Sequence, residues 1–312
     1  MGRRKKGLKL NGWINLNKPS GITSTQALNI VRRALDAQKA GHAGTLDPLA
    51  TGVLPLALGE ATKTIPYIQD AHKTYHFTVT WGQQRTTDDS EGDVLTTSDL
   101  RPSPDDIQAL LPQFTGDITQ IPPQFSAIKI DGQRAYDLAR EGETVDIKPR
   151  QVFVESIKID AHRTDQTDFT CTCGKGTYVR SIARDLGTKL GCGGYISRLE
   201  RAAVGPFSLI SAIPLDFFRD LGENPDLGSI LLPVQTALDD IPALALNDGE
   251  AGRIRQGQSL MFVSRPDIER LSHAGFDLNI PETAVAITSH GKAVAIVTVS
   301  GAEVHPVKIL NV

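Results

Sequence analysis

The chain has 312 residues, 40% of them hydrophobic and 22% charged, with a formal net charge of −3. That length suits one large domain plus a small one, and the ordinary composition excludes a disordered or low-complexity chain. No apolar run is long enough for a membrane-spanning helix, and the slight negative charge excludes nucleic-acid binding by global attraction.

Arg3, Arg4, Lys5, Lys6 and Lys9 open the chain with no acid among them. Asn11 and Gly12 follow in place of an apolar signal core, so a basic arm over 1–11 is expected, not a secretory leader. Residues 13–16 read as a short strand entering a Lys18-Pro19 turn. Apolar residues at 27, 28, 31, 34 and 35 form a helical stripe over 23–36, with Thr23 or Ser24 as N-cap. Residues 41–52, G-H-A-G-T-L-D-P-L-A-T-G, then place a single carboxylate, Asp47, in a loop bounded by Gly and Pro. The nearest acids are Asp36 and Glu60, so there is no local carboxylate pair. One acid on a rigid turn suits a nucleophile or a lone base working without a metal; the competing reading is an Asp that tightens a turn.

An apolar strand is expected over 53–58, a short helix over 61–70 and a strand rich in aromatic and β-branched residues over 74–81. Asp88, Asp89, Glu91 and Asp93 lack EF-hand spacing and read as a polar turn, not a calcium site. A helix is expected over 105–111, a strand over 151–159 with an irregularity at Ser156, a strand over 168–173 and a helix over 179–190. Cys171 and Cys173 share one face of their strand; with Cys192 they are too few for a disulfide framework, and no zinc-finger spacing surrounds them. A reduced, cytoplasmic protein without a metal is the expectation. Strands outnumber alternating βα units, which favours an α+β chain with a mixed sheet over a doubly wound parallel one. Gly222, Pro225, Gly228 and Pro233 mark a boundary between a domain over 12–235 and a small β-rich one over 241–312, where a helix at 248–255 and strands at 285–288 and 293–299 are legible. From Ile241 onward 6 Lys/Arg stand against 7 Asp/Glu, so a small structural barrel competes with an RNA-binding module there.

The Asp47 loop resembles the catalytic motif of the pseudouridine synthases, and in particular the bacterial tRNA pseudouridine-55 synthase family. Matching stretches follow in order: N-K-P-S-G at 17–21, K-T-Y at 73–75, T-T-D-D-S-E-G at 86–92, P-Q-F-S-A-I-K-I-D-G-Q-R-A-Y-D-L-A-R at 123–140, K-G-T-Y-V-R-S-I-A-R-D-L-G at 175–187 and L-E-R-A-A-V-G-P-F at 199–207. The resemblance covers about residues 12–210. It implies a pseudouridine synthase fold, with a mixed, largely antiparallel central sheet, peripheral helices, an RNA-gripping insertion at about 121–150 and a small PUA-like RNA-binding domain over 241–312.

It also implies an isomerase that converts uridine 55 in the tRNA T arm to pseudouridine without a cofactor. Such an enzyme would act on a flipped-out base, as a monomer with no obligate protein partner and no membrane, and could help tRNA fold. By resemblance Asp47 is the catalytic carboxylate, Arg180 its ion-pair partner, and Tyr75 the ring that stacks on uracil and can take a proton from C5. Tyr178 and Leu199 shape the pocket, Lys18 with Pro19 buttresses Tyr75, and His42 fills the space left by the flipped base. The residues fit a nucleophilic Asp47 and a proton-abstracting one equally.

Three positions depart from the family pattern: Ala43 where Thr is frequent, Gly174 where Ser is usual, and Glu200 where a basic residue is common. Two other functions compete. A glycoside hydrolase would need a second acid, with Asp89 or Asp185 as candidates. A non-catalytic RNA-binding protein would need none of Asp47, Tyr75 and Arg180.

Overall fold

The structure, a computed structural model, describes residues 7–126, 129–130, 133–134, 147–222, 226–288 and 290–312. Arg3, Arg4, Lys5 and Lys6 of the expected basic arm, and Arg140 of the expected insertion, lie outside the described residues. The described end of the arm is anchored, because the Leu8 N–H donates to the Asp36 carbonyl and the Gln38 N–H to that of Leu8.

A central sheet organises the larger part of the chain. From one edge its strands run Ile213–Pro214, Gly12–Lys18, Thr51–Leu58, Gly194–Val204, Lys73–Trp81, Gln166–Cys173, Arg150–Arg163 and Gly116–Gln120. Two contacts are parallel, Gly12–Lys18 with Ile213–Pro214 and Thr51–Leu58 with Gly194–Val204; the others in this order are antiparallel. The sheet is therefore mixed and largely antiparallel, as expected. Period-two alternation sends Ile14, Leu16, Leu54 and Leu56 into one apolar cluster and Trp13, Val53 and Ala57 into another, so both faces of the sheet are covered.

The first helix, Ser24–Ala34, starts at an N-cap Thr23 that forms a capping box with Gln26. It ends against Asp36, which takes the left-handed conformation at φ 44. The helix expected over 61–70 is instead a 3₁₀ turn, Gly59–Lys63, followed by an α-helix, Ile65–Asp70. Pro66 is the reason: it lacks an N–H to continue a helix but suits the first turn of a new one.

A second sheet contains Ala243–Leu246, Glu282–Thr288, Ala293–Ser300, Glu303–Ile309 and Leu260–Met261 in that spatial order. Its inner face, with helices Asp248–Arg255 and Arg265–His273, closes over Leu244, Ile254, Phe262, Leu271 and Val297. It also joins the larger part, since Val285, Ile296 and Leu310 pack in one cluster with Trp13, Val53 and Phe207.

Candidate active site

Three neighbouring strands of the central sheet converge on one cavity. Thr51–Leu58 is entered through the Asp47 loop, Lys73–Trp81 carries Tyr75, and Gly194–Val204 between them carries Leu199 and Arg201. The opposite wall is the start of helix Val179–Lys189, preceded by Tyr178. The cavity has a volume of about 290 Å³, and Asp47 is its only acidic lining residue among those described.

Asp47 faces Arg180 across the cavity edge, with Nε 2.9 Å from Oδ2. The contact lies off the N–H direction, so it is an ion pair and not an aligned hydrogen bond. Arg180 is held from behind by the carbonyls of Thr87 at 2.9 Å and Phe125 at 2.8 Å, while Asp89 approaches its Nη1 at 3.6 Å. Asp89 is in turn fixed by the Thr87 hydroxyl and the Glu91 N–H. The turn read from sequence as merely polar thus supplies a second carboxylate to Arg180. Nothing in the local spacing signals it, since Asp89 and Arg180 are distant in the chain.

Tyr75 stands on the cavity floor beside Leu199. Burial pushes its hydroxyl up to about 12, opposed by the Arg201 guanidinium. Tyr178 is held by its backbone: Gln120 accepts from the Tyr178 N–H at 2.7 Å and donates to its carbonyl at 3.0 Å. The Arg150 guanidinium lies 5.4 Å above the Tyr178 ring. Lys175, just before Tyr178 in the sequence, pairs with Asp70 at 2.9 Å.

Lys18 is fully buried beside the Asp47 loop. Its three amine hydrogen bonds go to carbonyls, those of Pro19 at 2.8 Å and Ile22 at 2.8 Å in its own turn and that of Pro48 at 3.3 Å in the Asp47 loop, so it ties the two segments together. Burial lowers its amine to about 8, with Asp47 the leading opposing influence. His42 ends the strand Ala40–His42, in register with Leu56, and is not among the residues that line the cavity.

Arg201 and Lys73, which lie in the stretches at 199–207 and 73–75 without an expected role, also line the cavity. Lys73 directs its amine to the carbonyls of Gln69 and Ala71, and burial lowers it to about 8. Of the three departures, Ala43 is fully buried, and Glu200 turns away to pair with Arg198 at 3.1 Å. Among the described residues no group of His, Cys, Asp and Glu is arranged to hold a metal. No helix among them is long and apolar enough to cross a membrane.

The arrangement disfavours paired-carboxylate chemistry. Asp89 lines a neighbouring cavity with Asp47 but is 2% exposed and held by Arg180, the Thr87 hydroxyl and the Glu91 N–H, and Asp185 is bound to Arg184 at 2.8 Å and lines a different cavity. A lone carboxylate opposite an aromatic ring can instead attack or deprotonate a sugar whose base stacks on that ring.

Comparison with known proteins places this geometry. The family model described as TruB family pseudouridylate synthase (N terminal domain) matches residues 32–179, and that of the tRNA pseudouridylate synthase B C-terminal domain matches 180–239. The chain is 47% identical over 312 residues to the tRNA pseudouridine synthase B of Caulobacter vibrioides, covering 100% of this chain and 99% of the relative. It is 50% identical over 312 residues to that of Dinoroseobacter shibae, with the same coverage of 100% and 99%. Its fold is similar to that of a chain in the crystal structure of a Cbf5-Nop10-Gar1 complex, with a TM-score of 0.72 at 24% identity over 96% of this chain and 84% of that one.

Proposed function

The chain belongs to the TruB family of pseudouridine synthases, and from that premise we propose that it converts uridine 55 in the T arm of tRNA to pseudouridine, with Asp47 as the catalytic carboxylate. The observation that carries the reading is that Asp47, the one acid lining the cavity among the described residues, is paired with a buried arginine and shares the cavity with Tyr75.

The target base leaves its stack and enters the cavity, where Tyr75 offers a ring face and Leu199 an apolar wall. Asp47 then attacks C1′ or takes a proton from C2′, and the C1′–N1 bond breaks with the electron pair departing on uracil. The base turns and C5 bonds to C1′, which displaces Asp47 from C1′ or is accompanied by return of the proton from Asp47 to C2′; the C5 proton then leaves and N1 gains one, so the product is an isomer. Neither a redox partner nor a group carrier is called for. Arg180 orients the carboxylate, and Asp89 with the Thr87 and Phe125 carbonyls orients Arg180. Residues 241–312 are proposed to add RNA contacts as a PUA-like domain. Opening the T arm to reach its base is also the act through which the protein would assist tRNA folding.

The test is an unmodified tRNA transcript incubated with wild-type protein and with Asp47→Asn, followed by mapping of pseudouridine. The expected outcome is one modified position, 55, for wild type and none for the variant, with tRNA affinity retained. Turnover by Asp47→Asn would remove the carboxylate from the mechanism, and modification elsewhere would remove the T-arm assignment. A binding-competent, inactive variant also isolates any folding assistance from catalysis.

A further inference from the structure

We infer that Arg201 is a positioning residue that ties the Asp47 loop to the Tyr75 strand and so sets the gap in which the target nucleoside sits. The inference rests on the roles of Asp47 and Tyr75 proposed above.

Every main-chain carbonyl from residue 44 to residue 48 has a hydrogen-bond donor. Leu46 is taken by the Ser24 hydroxyl at 3.0 Å and Asp47 by the Ala50 N–H at 3.1 Å. Pro48 is taken by the Gly21 N–H at 2.9 Å and by Lys18 at 3.3 Å. These donors belong to the loop itself or to the segment beside it, and none of them lies on the strands that carry Tyr75 and Leu199. The carbonyls of Gly44 and Thr45 are different: both go to Arg201, from Nη2 and Nη1, each at 3.3 Å. The third nitrogen, Nε, donates to the Val53 carbonyl at 2.8 Å. One guanidinium therefore holds the loop on both sides of its turn into the strand.

The backbone of Arg201 makes the other half of the link. It lies in parallel register with Gly52 and in antiparallel register with Tyr75. Directly opposed residues of an antiparallel pair project from the same face, so the Arg201 and Tyr75 side chains are neighbours. The guanidinium also favours the ionised form of the Tyr75 hydroxyl, against the burial that raises it. The approach of loop and strand is close enough to dictate sequence. At Gly52, with φ +100, an added Cβ would meet the Arg201 carbonyl at 2.3 Å.

A buried cation is a costly brace where an apolar side chain could fill the same space. Arg201 is 2% exposed and, among the described residues, makes no ion pair with a carboxylate. What a guanidinium provides and an apolar chain does not is a planar fork reaching three carbonyls at fixed angles. Lysine, with one nitrogen, reproduces only part of that fork.

The experiment compares wild type, Arg201→Lys, Arg201→Met and Asp47→Asn on unmodified tRNA, measuring tRNA affinity, the single-turnover rate with enzyme in excess, and folding by circular dichroism. The expected result is near-normal affinity, a rate reduced about 10²-fold in Arg201→Met, as for an ångström-scale misplacement of reacting groups, and an intermediate rate in Arg201→Lys. A wild-type rate in either Arg201 variant, with Asp47→Asn inactive, overturns the inference. So does recovery of the full rate on cooling to a temperature where the variants are as folded as wild type, because a strut of the fold alone would behave that way. Should Arg201→Met fail to fold, Arg201→Lys decides by the same criteria. Turnover by Asp47→Asn would instead overturn the reading of the site on which the inference rests.

Discussion

At the scale of single residues, Tyr75 holds two separable roles, a ring for stacking and a hydroxyl for proton transfer. Burial keeps the hydroxyl protonated at rest, pushing it up to about 12, while the adjacent Arg201 guanidinium favours the phenolate. The C5 proton must leave late in the reaction, and among the described residues lining the cavity Tyr75 is the one phenol beside Arg201. Tyr75→Phe preserves the ring and removes the hydroxyl that would relay the proton, giving up its own as it takes the one from C5. It is expected to bind tRNA normally and to lower the single-turnover rate by about 10²–10⁴-fold, the usual worth of a positioned acid or base. A wild-type rate in Tyr75→Phe would leave the ring with stacking alone. Tyr75→Leu removes the stacking face too and is expected to add a loss of about 1–3 kcal/mol in holding the flipped base, seen as weaker tRNA affinity than for Tyr75→Phe. The contrast between the site's residues is also one of legibility. Asp47 stands out in the sequence because glycines and Pro48 isolate it, and Arg180 is picked out by its K-G-T-Y-V-R context. Arg201 and Asp89 also fall in stretches that resemble family motifs, but nothing local shows their roles: each acts on a partner far along the chain, and only the folded sheet shows which partner it meets.

At the scale of elements, the same divide follows from backbone physics. The first helix is legible because its apolar stripe, its Thr23 cap and the Gln26 that completes the capping box are all local signals. The strand Arg150–Arg163 is legible in part, including its irregularity, since the register shifts between Val154 and Ser156, where the sequence alternation stumbles. The strand Gly194–Val204 escapes sequence reading although it lies at the centre of the sheet. Register shifts between Ile196 and Arg198 and between Arg201 and Ala203 break its period of two, and its charged residues imitate a surface loop. Those irregularities let one strand serve both the Tyr75 strand and the Asp47 strand. The helix Val179–Lys189 also depends on a distant partner, because Tyr178 makes no side-chain cap and Gln120 takes both backbone groups of that residue. Gln120→Ala leaves the part-buried Tyr178 N–H without its partner, while the Tyr178 carbonyl keeps the Ile182 N–H, and is expected to cost about 1–3 kcal/mol in urea unfolding. It should also raise KM for tRNA more than it lowers kcat if Tyr178, which lines the cavity, acts by shaping its wall as proposed. A stability equal to wild type would show that Gln120 is not what holds that end of the helix.

At the scale of the whole molecule, the small C-terminal sheet is joined to the catalytic sheet at the base of the Asp47 strand. Leu310, Ile296 and Val285 share an apolar cluster with Val53 and Ala57, two residues of that strand. The Lys63 amine reaches the Ile309 carbonyl at 2.7 Å, and the Asn311 N–H donates to Glu60 at 2.8 Å. A truncation at residue 240 therefore removes more than a proposed RNA contact; it uncovers Trp13 and Phe207 as well. The expected outcome is a lower melting temperature together with weaker tRNA affinity. The single-turnover rate at saturating enzyme should persist at temperatures where the shortened chain is folded. Leu310→Ala separates packing from RNA binding, because Leu310 is 2% exposed and lies in the joint, not on the surface. It is expected to cost about 2–5 kcal/mol, as for other buried Leu-to-Ala changes, while leaving tRNA affinity intact. If the joint makes the two sheets one cooperative unit, unfolding of that variant followed by tryptophan fluorescence and by far-ultraviolet circular dichroism gives a single shared midpoint. Trp13 lies in the joint and Trp81 in the other core of the larger part, so with Trp13 replaced by Phe a circular-dichroism transition preceding the Trp81 fluorescence one would show the small sheet melting alone and the joint carrying little of the stability.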